Sequence, residues 1–237
     1  TTALWPYLWD EPYYRFLLAW EKFSAFPWSG EILLFNEKLD AKALPWYYIP
    51  GWIAITVPVL VLVVLLVGAA KTVGTFFAGL LKLRFFRGAR EATDLFQLAL
   101  VVGSVVAVVY LGSILYDSWR HLYFIYPSMV YIATLGLHRA LVYTRVRRWR
   151  RARKGLRIFV VITLVYLLGW CIWMHPFQYN YFNPLAGGEL EKRYEIDYWG
   201  LGYQKALRWI VEHDERENIN VYMSNYSGHA IYRVLPH

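Results

Sequence analysis

Twenty-two consecutive residues at positions 95–116 carry no formal charge: LFQLALVVGSVVAVVYLGSILY. A helix that rises about 1.5 Å per residue needs about 20 apolar residues to cross the hydrocarbon core of a bilayer, which is about 30 Å thick. This run is therefore long enough to cross a membrane once. The alternative for any single run is a buried helix of a soluble protein, and the rest of the chain decides between the two.

Three further runs, at 43–70, 121–138 and 158–178, also lack Asp, Glu, Lys and Arg. Four such runs in 237 residues favour an all-α polytopic membrane protein over a soluble fold. Pro58 is expected to bend the first helix near its outer end. The predicted transmembrane helices, about four in number, cover approximately residues 52–70, 95–116, 121–138 and 158–174.

The composition and the distribution of charge exclude several other classes of protein and predict how the chain lies in the membrane. Hydrophobic residues make up 58% of the chain, which excludes a disordered protein, and the single cysteine, Cys171, excludes an internal disulfide. Residues 139–157 hold nine basic and no acidic side chains, and residues 71–94 hold five basic and two acidic ones. Basic loops stay on the cytoplasmic side of a membrane. The net charge of +8 therefore reflects topology, both termini are expected outside, and nucleic acid is not an expected partner.

The charge-free runs divide the chain into three regions. Residues 1–48 form an external segment rich in Trp and Tyr, with one helix near 11–23. Residues 49–174 form the transmembrane region with its two basic cytoplasmic loops, 71–94 and 139–157. Residues 175–237 form a small external α/β piece, expected to be incomplete, with one amphipathic helix and a short strand at 219–223.

Two clusters contain residues that could perform chemistry. In the first, Asp117, Arg120 and His121 lie between two predicted spans, at the outer boundary of the membrane. A guanidinium at this depth suits phosphate oxygens, but Asp117 and Arg120 could equally form an ion pair that reaches toward water. Both interpretations remain open from the residues alone.

The second cluster is YEIDYWG at residues 194–200. Glu195 and Asp197 could combine a carboxylate with a ring on which a sugar stacks, although two residues that cap a helix beside an interfacial tryptophan are the favoured interpretation. The chain has no soluble-enzyme motif, and its six histidines show no paired metal spacing, so we expect no metal and no cofactor.

Three stretches resemble a known family: ALPWYYIPGWIAITVP at 43–58, YDSWRHLYFIYPSMV at 116–130, and FQYNYFNPLAGG with YEIDYWGLGYQKALRWI within 177–210. They are similar to the later half of bacterial integral-membrane glycosyltransferases of the GT-C type. These are the family 39 proteins related to protein O-mannosyltransferases and the lipid A aminoarabinose transferase. The similarity extends in order over about residues 5–212.

The resemblance implies an enzyme of the bacterial inner membrane that takes a sugar from a polyprenyl-phosphate donor and passes it to a protein or lipid acceptor at the outer face. The family's catalytic base, an acidic residue in the first external loop, has no counterpart here, so the catalytic residue stays unknown. The chain is expected to be a carboxy-terminal half that works with a missing amino-terminal half or a partner chain. Arg120 and His121 are the implied contacts for the donor phosphate, with Asp117 orienting them.

Two other functions are considered. A non-catalytic membrane subunit, built on the same scaffold within a larger assembly, would explain the missing acidic loop. A transporter or channel has little support, because the interiors of the predicted spans carry no ionisable residue.

Overall fold

The computed structural model describes residues 4–24, 28–83, 86, 88–216 and 219–222. Within these residues the chain forms eight α-helices and one antiparallel hairpin, in which Ile32 is paired with Leu39. The helices are α1 Pro12–Ser24, α2 Tyr48–Thr56, α3 Val59–Leu80, α4 Ala89–Tyr110, α5 Tyr126–Val146, α6 Arg150–Trp173, α7 Leu190–Arg193 and α8 Gly202–His213, and the strands are β1 Glu31–Leu34 and β2 Glu37–Asp40.

Three of the helices, α3, α4 and α6, are long and apolar enough to cross a membrane. Their most apolar 18-residue windows have mean hydropathies of 2.3, 2.0 and 2.1. This confirms a mostly helical chain with three candidate membrane-spanning helices, where the sequence predicted about four. The missing one is the helix predicted at 121–138. Residues Arg120–Ile125 instead form a 3₁₀ helix, and α5 continues to Val146 through two arginines, which lower its hydropathy.

Charge-free runs located the helices but not their ends. α6 begins at Arg150 rather than 158, and α3 continues to Leu80 rather than ending at 70. The predicted loops 71–94 and 139–157 are therefore largely helical, because Lys and Arg end an apolar run without ending a helix. α4 stops at Tyr110 rather than 116, since Gly112 adopts the left-handed conformation that terminates helices.

The helix predicted at 52–70 consists of two helices, α2 and α3, separated at Pro58. Because proline has no backbone N–H, the carbonyl of Ala54 loses its usual donor four residues later. Asn183 replaces that donor: its Nδ2 donates to the carbonyls of Ala54 and Val57 at 2.7 and 2.6 Å, and its backbone N–H donates to Ile55 at 2.8 Å. Asn183 is only 3% exposed. One buried side chain thus fixes the loop after α6 to the break between α2 and α3.

The largest cluster of buried residues lies in an aromatic layer at one end of the long helices, and a smaller set, which includes Ile132, is buried between α3 and α5. This layer is built from the hairpin, α2, the 115–129 segment and the 182–195 segment. Its largest fully buried side chains include Trp52, Tyr48, Tyr194, Ile32, Leu34, Ile49, Leu122, Ile125 and Met129. α6, in contrast, has no fully buried residue. The aromatic layer therefore holds together as a small folded unit at one end of the apolar helices.

The helix expected near 11–23 is confirmed as α1, and the amphipathic helix of the carboxy-terminal region is confirmed as α8, which buries Leu207. The strand expected at 219–223 is wrong for residues 219–222, which form no strand, and Met223 lies outside the described residues. The sheet occurs instead in the amino-terminal segment. Leu34 also bridges to Tyr194, which ties the hairpin to the chain after α7.

α3 and α5 pack closely through two glycines. A Cβ atom at Gly68 would overlap the carbonyl of Ile132, and one at Gly136 would overlap the carbonyl of Val64. Small residues that allow backbones to approach are the usual basis of helix packing within membranes. This contact holds α5 against α3, and with it the turn that precedes α5.

The contact at the helix break gives a stability prediction. Asn183→Asp replaces two N–H donations by a carboxylate that faces carbonyl oxygens, so the free energy of unfolding should fall by about 3 kcal/mol. Thermal unfolding of the purified protein in detergent measures the change. Asn36→Asp, the same exchange in the exposed hairpin turn, is the control and should change little. A midpoint for Asn183→Asp equal to that of the control would contradict this role.

Candidate functional site

The turn that carries Asp117 and Arg120 is fixed on α2. Asp117 and Ser118 both adopt left-handed backbone conformations, with φ of 55° and 68°. The hydroxyl of Tyr48 donates to the carbonyl of Ser118 at 3.2 Å, and the indole N–H of Trp119 donates to Oγ1 of Thr56 at 2.9 Å. The turn is therefore fixed to both ends of α2, and α2 sets the direction of its charged side chains.

Arg120 is the centre of the candidate site. Its guanidinium pairs with Oδ2 of Asp117 at 2.9 Å, and both side chains are about one-fifth exposed. The guanidinium carbon lies 4.8 Å from the ring centroids of Tyr116 and Trp199. Its Nε is buried and makes no hydrogen bond with any described residue. The ion pair considered from the sequence does form, but it leaves a donor of the guanidinium unused.

His121 follows Arg120 on the same turn. Its ring packs edge-on against Tyr116, with 4.8 Å between centroids. Removal of the ring from water and the nearby charge of Arg120 both lower the pKa of His121, which favours the neutral imidazole. The structure therefore brings all three predicted site residues to one turn, with Arg120 in the ion pair and His121 beside the same tyrosine.

The two carboxylates of the second cluster, Asp197 and Glu195, have different surroundings. Asp197 lies in front of α8, and its carboxylate accepts from the backbone N–H groups of Leu201 and Gly202 at 2.9 and 2.8 Å and from the hydroxyl of Tyr179. Asp197 thus satisfies N–H groups at the start of α8, as a capping residue would, although Leu201 occupies the N-cap position itself. Glu195 is different: its Oε2 is buried and has no hydrogen-bond partner among the described residues.

Glu195 belongs to the site around Arg120. Burial and the charge of Asp117 raise its pKa to about 7. The pKa of Asp117 is also raised by burial, which the charge of Arg120 opposes. Two carboxyl groups and one guanidinium therefore share one partly buried site. When Glu195 is protonated, the site carries one positive and one negative charge.

An aromatic cavity of about 410 Å³ adjoins this turn. It is lined by Trp119 of the turn and by Tyr123, and it is bounded on the other sides by residues next to the α2–α3 break and after α6. Its remaining aromatic lining is Tyr126, Tyr179 and Tyr181. The cavity offers ring faces and phenolic hydroxyls, a lining suited to an amphipathic ligand, and Arg120 follows its lining residue Trp119 in the chain.

Sequence reasoning found Arg120 and Asp117 but did not connect them with Glu195. The connection depends on contacts far apart along the chain: the backbone N–H of Glu195 donates to Leu33 at 3.2 Å, and Trp199 stacks on Arg120. A carboxylate next to two aromatic residues was the available signal, and it did not distinguish Glu195 from Asp197.

No protein-family model, curated protein or solved structure matches the chain. The candidate site is consequently interpreted from its own residues, and the resemblance to GT-C glycosyltransferases stays a prediction.

The raised pKa of Glu195 predicts a pH-dependent stability. Between its ordinary value of 4.5 and about 7, the folded protein retains a proton that the unfolded chain releases. Stability should therefore decrease as the pH rises through this window, by about 3 kcal/mol at most. Glu195→Gln should remove the contribution of Glu195 to this dependence and make the protein more stable than wild type above pH 7. Thermal unfolding in detergent across the window measures it.

Glu191→Gln is the matched control, because Glu191 is an exposed carboxylate one turn earlier. It should leave the pH dependence of wild type intact. If Glu195→Gln retained the wild-type slope, Glu195 would not be the buried group that titrates.

Proposed function

We propose that this chain is a multi-pass membrane protein that forms the donor-phosphate side of a glycosyltransferase. It transfers a sugar from a polyprenyl-phosphate-linked donor to a protein or lipid acceptor at the outer face of the bacterial inner membrane. The observation that carries the proposal is Arg120, a guanidinium held between two aromatic rings with a buried donor unused by the described residues.

The chemistry of transfer explains why such an arginine is useful. When the sugar leaves a polyprenyl phosphate, negative charge develops on the phosphate oxygens. A planar guanidinium matches these oxygens, and partial burial strengthens the contact. The ion pair with Asp117 keeps the guanidinium in place before the donor binds. A protonated Glu195 adds no repulsion toward the incoming phosphate.

The fold supports this location. We place α3, α4 and α6 across the bilayer, with α5 as the fourth crossing, and the arginine-rich α5–α6 connection in the cytoplasm. The aromatic layer then lies at the outer interface, where Trp and Tyr side chains are favoured. The adjoining aromatic cavity would accommodate the amphipathic donor next to Arg120.

The orientation is tested by cysteine labelling in sealed cells. In a Cys171→Ala background, Lys42→Cys in the hairpin segment should react with a membrane-impermeant maleimide. Lys154→Cys in the basic connection should react only after permeabilisation, because that connection is placed inside. Labelling of position 154 in sealed cells would contradict the proposed topology.

The role of Arg120 is tested by donor binding and by transfer. Arg120→Ala should weaken binding of a short-chain polyprenyl phosphate to the purified chain. It should also reduce transfer from polyprenyl-phosphate sugars in membranes by about 10²–10³-fold. Arg120→Lys keeps the positive charge but lacks the planar, two-pronged arrangement of N–H donors. Its donor binding and transfer should lie between those of wild type and Arg120→Ala. Insertion and thermal stability are measured in parallel.

Arg208→Ala removes an exposed arginine of α8 and is the control, with binding and transfer expected at wild-type levels. Full transfer by Arg120→Ala would remove Arg120 from the mechanism. If Arg120→Ala weakened donor binding but the wild type transferred sugar from no donor, the results would favour the non-catalytic subunit.

A further inference from the structure

A second arginine cluster lies at the opposite end of α5, where it turns into α6. A cavity of about 420 Å³ is lined there by Thr144 and four arginines, which we call the arginine pocket. The four are Arg145, Arg148, Arg150 and Arg153. None of these residues belongs to the site around Arg120.

The arginine pocket has no internal counter-charge. Residues 139–157 contain no Asp or Glu, and no ion pair joins the four arginines to a carboxylate of the described residues. Like charges around one cavity repel each other, and an anion in the cavity would remove this cost. The pocket therefore has the electrostatic character of an anion site.

The turn itself explains how the four side chains meet. The N–H of Trp149 donates to Thr144 at 2.9 Å and that of Arg148 donates to Arg145 at 3.1 Å, a pattern that closes a helix with a left-handed residue. Glycine usually occupies that position, but here it is Arg148, with φ of 57°. The chain thus places a guanidinium where a glycine would fit with less strain.

The surroundings of the pocket are apolar. Val146 and Trp149 next to it are 73% and 53% exposed, and the surface of α6 that follows is exposed along its length. Arg153 precedes Ile158 by five residues, or about 7.5 Å along the helix axis. If α6 crosses the bilayer, the pocket lies at the depth of the lipid headgroups.

We infer that the arginine pocket binds the phosphate headgroup of an anionic phospholipid in the inner leaflet. The guanidinium groups take the phosphate, and the exposed apolar side chains beside them contact the acyl chains. A free phosphate would gain only the first of these contacts. This inference rests on the proposed membrane placement and is independent of sugar transfer.

The test uses the full chain purified in detergent, with lipid retention measured by native mass spectrometry. Wild type should retain phosphatidylglycerol in preference to phosphatidylcholine, and phosphatidylglycerol should raise its unfolding temperature. Arg148→Gly with Arg153→Gln should weaken phosphatidylglycerol binding about thirtyfold. Because glycine suits the left-handed position, Arg148→Gly alone should fold at least as stably as wild type while binding the lipid less tightly.

Arg151→Gln with Lys154→Gln removes the same charge from exposed residues that do not line the pocket, and it should bind phosphatidylglycerol as wild type does. If both double variants weakened phosphatidylglycerol binding equally, the binding would come from the general positive charge of this surface and not from the pocket. Equally tight binding of soluble glycerol phosphate would make it a free-anion site. Equal retention of phosphatidylcholine would also overturn the inference. Loss of transfer in Arg120→Ala leaves all these outcomes unchanged, so the two proposals fail separately.

Discussion

The hydrogen bonds that Asn183 makes at the α2–α3 break connect the apolar helices to everything outside them. Pro58 allows the chain to turn from the aromatic layer into a long helix, but it leaves the carbonyl of Ala54 without its usual donor. A carbonyl that is buried without a partner is costly, above all beside an apolar environment. Asn183 supplies two donations from its side chain and one from its backbone. The loop after the last long helix is thereby fixed to the start of the first.

The geometry of the candidate site follows from this connection. With α2 and the loop after α6 joined, Tyr48 and Trp119 orient the turn that carries Arg120. The hairpin then brings Glu195 to the same place, through the backbone donation to Leu33. No single element contains the site. It exists because four segments that are distant along the chain meet in one aromatic layer. The side chains in the core of this layer are buried, whereas α6 has no fully buried residue.

The sequence predicted what depends on composition and missed what depends on contacts. Uncharged runs found α4 and α6 because lipid-compatible helices need continuous apolar residues. The same runs misplaced the helix ends, since Arg150 is a good helix former and only Gly112 gave a local stop signal. The hairpin was missed because each of its strands has four residues and its stabilising partner, Tyr194, is far along the chain. Arg120 was found by residue type, but Glu195 needed the fold.

The two arginine clusters show how environment gives one residue type different tasks. Arg120 is balanced by Asp117 and flanked by rings, so its position is set before a ligand arrives, and its buried Nε has no partner among the described residues. The arginine pocket between α5 and α6 has no carboxylate, so its net charge is uncompensated within the described chain. The first arrangement suits selective recognition of one phosphate during chemistry. The second suits a membrane surface rich in anionic headgroups. Four positive charges without a fixed carboxylate partner attract any nearby anion, so the most abundant anion binds.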